Sequence, residues 1–218
     1  AGRAGHLLLA ARYHLVAGDP IRAETMVARV LEAAPAPLLR ARALRLSSEL
    51  AGYRQGAVAS LALVEEALAL AAEADDVAFR VELRTQRATM LAASARWEDG
   101  WAELGAALED AEAAGDRAVV GQLEAFRAGI GAVLGVAADL SVLEHALAGQ
   151  DRDRTLPVLM ELPMLVGLAH LWSEEPDAAC AILLPFAEAA TADGSDGPET
   201  VSLAQAALAC WVAGRFSD

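Results

Sequence analysis

The sequence predicts an all-α fold, a right-handed superhelical solenoid of about five stacked helical hairpins plus one further helix, and three observations predict it. First, an apolar pair late in a helix recurs as Val30-Leu31, Ala67-Leu68, Ala107-Leu108 and Ala146-Leu147, at intervals of 37, 40 and 39 residues. A hairpin that cannot bury its own apolar face must share it with a neighbour, so a period of about 40 between helical stretches marks a stack. Second, hydrophobic residues make up 56% of the 218 residues but aromatics only 5%, a diet of alanine and leucine that suits helices packed closely through small side chains. Third, glycine, proline and aspartate punctuate the helical stretches where hairpins should turn.

In the first hairpin, Leu7, Ala10, Ala11 and His14 share one helical face, Gly18-Asp19-Pro20 stops that helix and starts the next, and Pro35 and Pro37 mark the exit near Ala33. Laid on the tetratricopeptide pattern, Leu7 stands for its Trp, Ala10-Ala11 for Leu-Gly, His14 for Tyr, Ala23 for Ala, Val27 for Phe and Pro35 for Pro. The second hairpin takes Leu38 to Tyr53 and Ala57 to Ala74, closing at Asp75-Asp76. A third takes Val77 to Ser94 and Trp97 to Ala114, with Gly115-Asp116 as its stop. The fourth takes Arg117 to Leu134 and Leu140 to Ala148, followed by the charged loop Asp151-Arg152-Asp153-Arg154. A fifth takes Pro157 to Trp172 and Pro176 to Ala192, with Gly167 and Ala179 on the signature small positions. Thr191 to Pro198 reads as a loop, Glu199 to Ala213 as a sixth first helix, and Gly214-Arg215-Phe216 as the turn that should open its partner. A missing partner helix and a first residue other than Met predict a single repeat domain, residues 1–218, excised from a longer chain.

Composition excludes several functions. All 17 cations are arginine, lysine and asparagine are absent, and only three isoleucines occur, a bias that points to a GC-rich genome. A net charge of −14 repels phosphate backbones, so no nucleic-acid contact is expected from this segment. Cys180 and Cys210 stand in helical sequence without a CxxC, as expected of buried free thiols in a reducing cytoplasm. The apolar runs around Ala128 to Ala138 and Leu162 to Trp172 are too short or too interrupted to span a bilayer, so no membrane partner is expected.

No catalytic, metal or cofactor motif stands out. Gly129-Ile130-Gly131 through Gly135 has the wrong spacing for a dinucleotide loop and follows no strand; Ala128, Gly131 and Gly135 at helical spacing suit close packing against a neighbour. His6, His14, His145 and His170 are dispersed, with no metal-ligand spacing. No GxSxG elbow occurs, and Gly194-Ser195-Asp196-Gly197 has no histidine nearby in sequence. The chain is therefore expected not to be an enzyme and to hold no cofactor. Trp97 and Trp101, four apart, share a face for packing. Glu65-Glu66, Glu73, Asp75-Asp76 and Glu109-Asp110 read as a solvated outer face, with Asp76 and Asp116 also placed to cap helices.

Several phrases carry a family likeness: Ala17-Gly18-Asp19 through Ala23, Leu38-Leu39-Arg40-Ala41-Arg42-Ala43-Leu44, Glu65-Glu66-Ala67-Leu68, Ala114-Gly115-Asp116 and Leu143-Glu144-His145-Ala146-Leu147. Together they resemble the middle, sensor region of large ATP-binding LuxR-family transcriptional regulators of MalT-like layout, typical of actinobacteria. The resemblance implies a P-loop ATPase upstream and a helix-turn-helix downstream, both outside this segment. ATP is implied for the upstream domain alone, since a chain without lysine holds no Walker A loop.

In a tetratricopeptide stack the first helix of each hairpin lines the inner face. The register aims Arg12, Arg42, Arg45, Glu49, Tyr53, Glu82, Thr85, Thr89, Glu124, Met164 and Trp172 there as candidate ligand or partner contacts. Small residues flanked by arginines, carboxylates and aromatics suit a small-molecule effector site. The expected function is ligand sensing for a regulator of a biosynthetic or catabolic gene cluster. The alternative is a scaffold that captures a peptide or protein, or a second copy of itself through an apolar patch near Trp211 and Phe216.

Overall fold

A computed structural model of the chain describes residues 2–33, 36–72, 74, 76–136, 141, 162–193 and 196–215. Among the described residues there are ten helices and no strand. They are α1 (Arg3–Val16), α2 (Pro20–Glu32), α3 (Pro37–Gln55), α4 (Ala57–Ala71), α5 (Val77–Ala93), α6 (Trp97–Ala114), α7 (Arg117–Val133), α8 (Leu162–Trp172), α9 (Pro176–Asp193) and α10 (Asp196–Val212). Apart from Ser141, which is helical, the predicted second helix of the fourth hairpin, 140–148, and the loop after it lie outside the described residues, as do Ala146-Leu147 and Pro35. The chain is organised as two compact units, Ala1–Asp110 and Ala111–Asp218.

The helix starts follow from local chemistry. Asp19, Asp76 and Asp116 each accept a hydrogen bond from the backbone N–H three residues on, at 3.1, 3.1 and 3.4 Å, capping α2, α5 and α7. Pro20 and Pro37 stand in the first turns of α2 and α3, where the missing N–H costs nothing.

The helix ends share one device. α1, α5, α7, α8 and α10 all finish on a residue in the left-handed region: Gly18, Ala95, Gly135, Glu174 and Gly214, with φ of 73, 57, 72, 63 and 74°. The next N–H then reaches back five residues: Asp19 to His14 at 2.8 Å, Arg96 to Leu91 at 2.9 Å, Val136 to Gly131 at 2.9 Å, Glu175 to His170 at 2.9 Å and Arg215 to Cys210 at 2.8 Å. This closure satisfies carbonyls that a helix C-terminus leaves open. α3 ends differently, on Gly56 at φ 91°, whose N–H bonds to the Ala51 carbonyl. With Gly56 included, these six residues recur every 38 to 40 positions, and α6 ends in the same way, outside that period, on Gly115 at φ 73° with the Asp116 N–H reaching the Ala111 carbonyl at 3.3 Å. Gly135 is thus a helix terminator and not the packing glycine expected from its spacing. The close approach is made by Gly129, where an added Cβ would lie 3.6 Å from the Leu165 carbonyl oxygen of α8.

In the first unit, Leu8 and Ala11 of α1, Ala23, Val27 and Val30 of α2, and Ala43, Leu46 and Leu50 of α3 form one buried cluster. In the second, Ala125 of α7 meets Val166 and Ala169 of α8, while Ala179, Cys180, Leu183 and Ala187 of α9 pack on Ala206, Ala209 and Cys210 of α10. The recurrent apolar pair is core at its first member: Val30, Ala67 and Ala107 are buried, whereas Leu31, Leu68 and Leu108 are only half-buried. Trp97 and Trp101 are half-buried.

Two expectations are corrected. Of the loop expected over Thr191 to Pro198, residues 191–193 end α9 and residues 196–198 begin α10, while 194 and 195 lie outside the described residues. Proline at position 198 and an acidic start are both acceptable in a first helical turn, so these residues were compatible with either state. Nor are the acidic clusters simply solvated. Glu66 pairs with Arg40 at 2.9 Å, Asp76 with Arg42 at 2.9 Å, and Asp110 with Arg80 and Arg84 at 3.3 and 3.0 Å. Arg87 pairs with Glu65 at 3.3 Å and with Glu103, whose carboxylate is buried and also holds Arg84 at 3.0 Å. Lysine-free helices use the planar guanidinium, which offers several donors at once, to tie α5 to both α4 and α6. Glu73 and Asp75 lie outside the described residues.

Candidate functional site

In the first unit, α1, α3 and α5 line a cleft of about 380 Å³. Helical spacing selects its lining: Leu8 and Arg12 from α1, Leu39, Arg42 and Leu46 from α3, and Phe79 and Glu82 from α5 each share a face at three or four residues apart. Leu9, Arg45, Ala78 and the α5 cap Asp76 complete most of the wall.

Electrostatics differ sharply among its three arginines. Arg42 is exposed, donates to Asp76 at 2.9 Å and lies 5.4 Å from the centre of the Phe79 ring, a cation–π distance. Arg12 is exposed and influences Glu49 through space. Arg45 is only 6% exposed. Its Nε stands 3.7 Å from Glu82 and its Nη1 3.8 Å from Glu49, both outside hydrogen-bond range, and Nη1 makes no hydrogen bond. Burial pushes the Glu49 carboxyl above the usual carboxylate range, against the pull of Arg45 and Arg12 and with the help of Glu82.

Behind Arg45 runs a buried polar relay that sequence patterning did not reveal. Gln86 Nε2 donates to Ser48 Oγ at 2.9 Å and to the Arg45 carbonyl at 3.3 Å, and Ser48 Oγ lies 2.8 Å from Ser60 Oγ. Polar groups buried together and hydrogen-bonded fix helices in one register, here α3, α4 and α5. Two serines and a glutamine scattered over 39 residues carry no sequence signal, because nothing marks them as facing each other.

Of the predicted contacts, the structure brings Arg12, Arg42, Arg45 and Glu82 to this cleft, with Glu49 adjoining Arg45. Thr85 and Thr89 do not line it. Both are buried, and their hydroxyls donate to the Val81 and Thr85 carbonyls at 2.8 and 2.9 Å, satisfied within their own helix. The side chain of Tyr53 lies outside the described residues. In the second unit, Met164 is 1% exposed and therefore core, not a groove contact. Glu124 and Trp172 are exposed there.

The remaining reactive side chains serve packing. Cys180 and Cys210 are buried free thiols with Sγ atoms 3.5 Å apart. Burial, then the hydrogen bond with Cys210, pushes the Cys180 thiol up to about 11, which suppresses the reactive thiolate. His170 is buried, with Nδ1 2.8 Å from Glu175 across the left-handed turn. His14 stands in the equivalent place, 3.9 Å from Asp19. His170 thus ties the end of α8 to its turn, whereas His14, at the equivalent register position, lies beyond hydrogen-bond distance of Asp19. Among the described residues no group of three His, Cys, Asp or Glu side chains is placed to hold a metal ion, and no helix is long and apolar enough to cross a membrane. No protein-family model matches the chain, and no curated protein matches it.

Proposed function

We propose that this chain is the effector-sensing domain of a LuxR-family transcriptional regulator, its hairpins stacked as a right-handed tetratricopeptide-like solenoid in the cytoplasm. The cleft between α1, α3 and α5 carries this reading. It pairs apolar walls with a few placed charges, the composition of a small-molecule site. An effector switches the regulator only if it favours one conformation over another, so binding biases the attached ATPase by the difference in affinity between the two.

Leu9 lines the cleft and is 52% exposed, so a larger side chain there is tolerated by the fold. Leu9→Trp should abolish effector-dependent transcription from the regulator's target promoter while leaving the helical circular-dichroism signal unchanged. An unaltered response would remove the cleft from the mechanism. The parentage is checked in the flanking reading frame, where a P-loop upstream and a helix-turn-helix downstream are expected and a frame encoding neither would overturn it.

A second reading, self-association, draws on α10. Leu203, Leu208, Trp211 and Val212 are 46, 43, 66 and 50% exposed, a concentration of apolar surface on one helix. Light scattering across a hundredfold concentration range should then show dimers; a constant monomer mass would exclude them.

A further inference from the structure

Cys180 and Cys210 stand 30 residues apart and belong to different helices, yet their Sγ atoms lie 3.5 Å from each other. The helix pair makes this meeting: Cys180 is in the second turn of α9 and Cys210 in the last turn of α10, so antiparallel packing sets the start of one beside the end of the other. An S–S bond is about 2.05 Å long, so a movement of about 1.5 Å joins the two sulfurs. The thiols differ in access. Cys210 lines an apolar cleft of about 480 Å³ between α9 and α10, beside Leu184, Ala187, Leu203 and Ala206, whereas Cys180 is wholly buried and does not line it.

We propose that Cys210 and Cys180 form a dithiol that hydrogen peroxide, entering through this cleft, converts to an intramolecular disulfide clamping α9 to α10. The Cys210 thiolate, its proton given to water, attacks one peroxide oxygen and breaks the O–O bond; Cys210 becomes a sulfenic acid and the departing hydroxide takes up a proton as water. Cys180 Sγ then attacks Cys210 Sγ, the S–O bond breaks, and the Cys180 proton leaves with the expelled hydroxide as a second water. Two thiols lose two electrons and two protons, and one peroxide becomes two waters. A small dithiol reverses the step by exchange, ending as the oxidised partner. Cys180 takes the second role because it is shut off from the cleft and because burial, then the hydrogen bond with Cys210, pushes its thiol up to about 11. The clamp closes a 30-residue loop and so restricts the unfolded chain. It requires no effector and does not depend on the cleft between α1, α3 and α5.

Hydrogen peroxide added to the reduced, folded 218-residue chain is the test. After quenching, thiol titration in denaturant should find both thiols gone, the intact mass should be lower by two hydrogen atoms, and the chain should run as a monomer on non-reducing electrophoresis. Dithiothreitol should restore both thiols. Helical circular dichroism should stay constant during oxidation, and the urea midpoint of the oxidised chain should lie above that of the reduced one. Cys180→Ala should stop at a sulfenic acid on Cys210, trapped by dimedone, while Cys210→Ala should react about tenfold more slowly, since oxidation follows thiolate character and exposure. Two thiols surviving peroxide that fully oxidises glutathione, a disulfide between chains, a disulfide formed only in denaturant, or a lowered urea midpoint would each overturn the clamp without recourse to either variant. Equal dimedone labelling of the two variants would overturn the assignment of Cys210 as the first to react.

Discussion

Leu183 occupies the space that a side chain on Gly167 would need. An added Cβ at Gly167 would stand 2.6 Å from Leu183 Cδ2 and closer still to Cγ, and Leu183 is fully buried. The glycine therefore sets the distance between α8 and α9.

Gly167→Ala should destabilise the protein by about 1 to 3 kcal/mol through overpacking, in spite of alanine's better helix propensity. Chemical denaturation measures this. Adding Leu183→Ala, which clears the space, should cost less in the Gly167→Ala background than in the parent, since contacting residues couple. Additive losses would mean that the two helices separate freely.

Ala95 and Glu174 hold left-handed backbone without being glycine. That conformation costs an L-residue about 1 to 2 kcal/mol, part of which glycine returns as chain entropy on folding. Ala95→Gly should thus stabilise by about 0.5 to 1 kcal/mol, read as a rise in denaturation midpoint, with Glu174→Gly moving the same way. A fall in both midpoints would contradict the turn geometry.

Leu104 of α6 is fully buried and Leu108 only half-buried. Leu104→Ala should cost about 2 to 5 kcal/mol and Leu108→Ala markedly less, since transfer and cavity terms both scale with burial. Equal losses from the two would mean that the helix is rotated about its axis.

Glu49 links pH to stability. Its carboxyl titrates above the ordinary carboxylate value in the folded protein because burial opposes its charge. Below the ordinary value both folded and unfolded states hold the proton, so Glu49→Gln should melt with the parent. As pH rises through the raised value, the folded parent must ionise a group that the unfolded chain ionises freely, and stability falls relative to the variant. The melting temperature of Glu49→Gln minus that of the parent should be near zero at about pH 4 and positive at about pH 8; a negative difference at high pH would reverse the assignment.

Much of the fold was legible because punctuation and period agree. Gly18-Asp19-Pro20 declares a turn three times over, through a left-handed glycine, a capping carboxylate and a proline fit only for a first turn. Ala95 and Glu174 occupy the same kind of turn without announcing it, since backbone hydrogen bonds hold their conformation. Asp196 to Pro198 was misjudged for the opposite reason: residues typical of loops are equally at home in the first turn of a helix. The cleft was legible in its arginines, because charges at helical spacing must share a face. Thr85, Thr89 and Met164 were not separable from groove residues, since a position facing inward can end in a cleft or in the core, and only the neighbouring helices decide which. The second unit's Glu124 and Trp172 remain surface positions of their own unit.

The recurring left-handed turn also bears on how such a chain can change length. Each of the described left-handed turns is closed by main-chain groups, which every residue supplies, so gaining or losing one whole pair of helices between two such turns leaves the splice chemically the same on both sides. Variation in natural length should therefore come in quanta of about 39 residues.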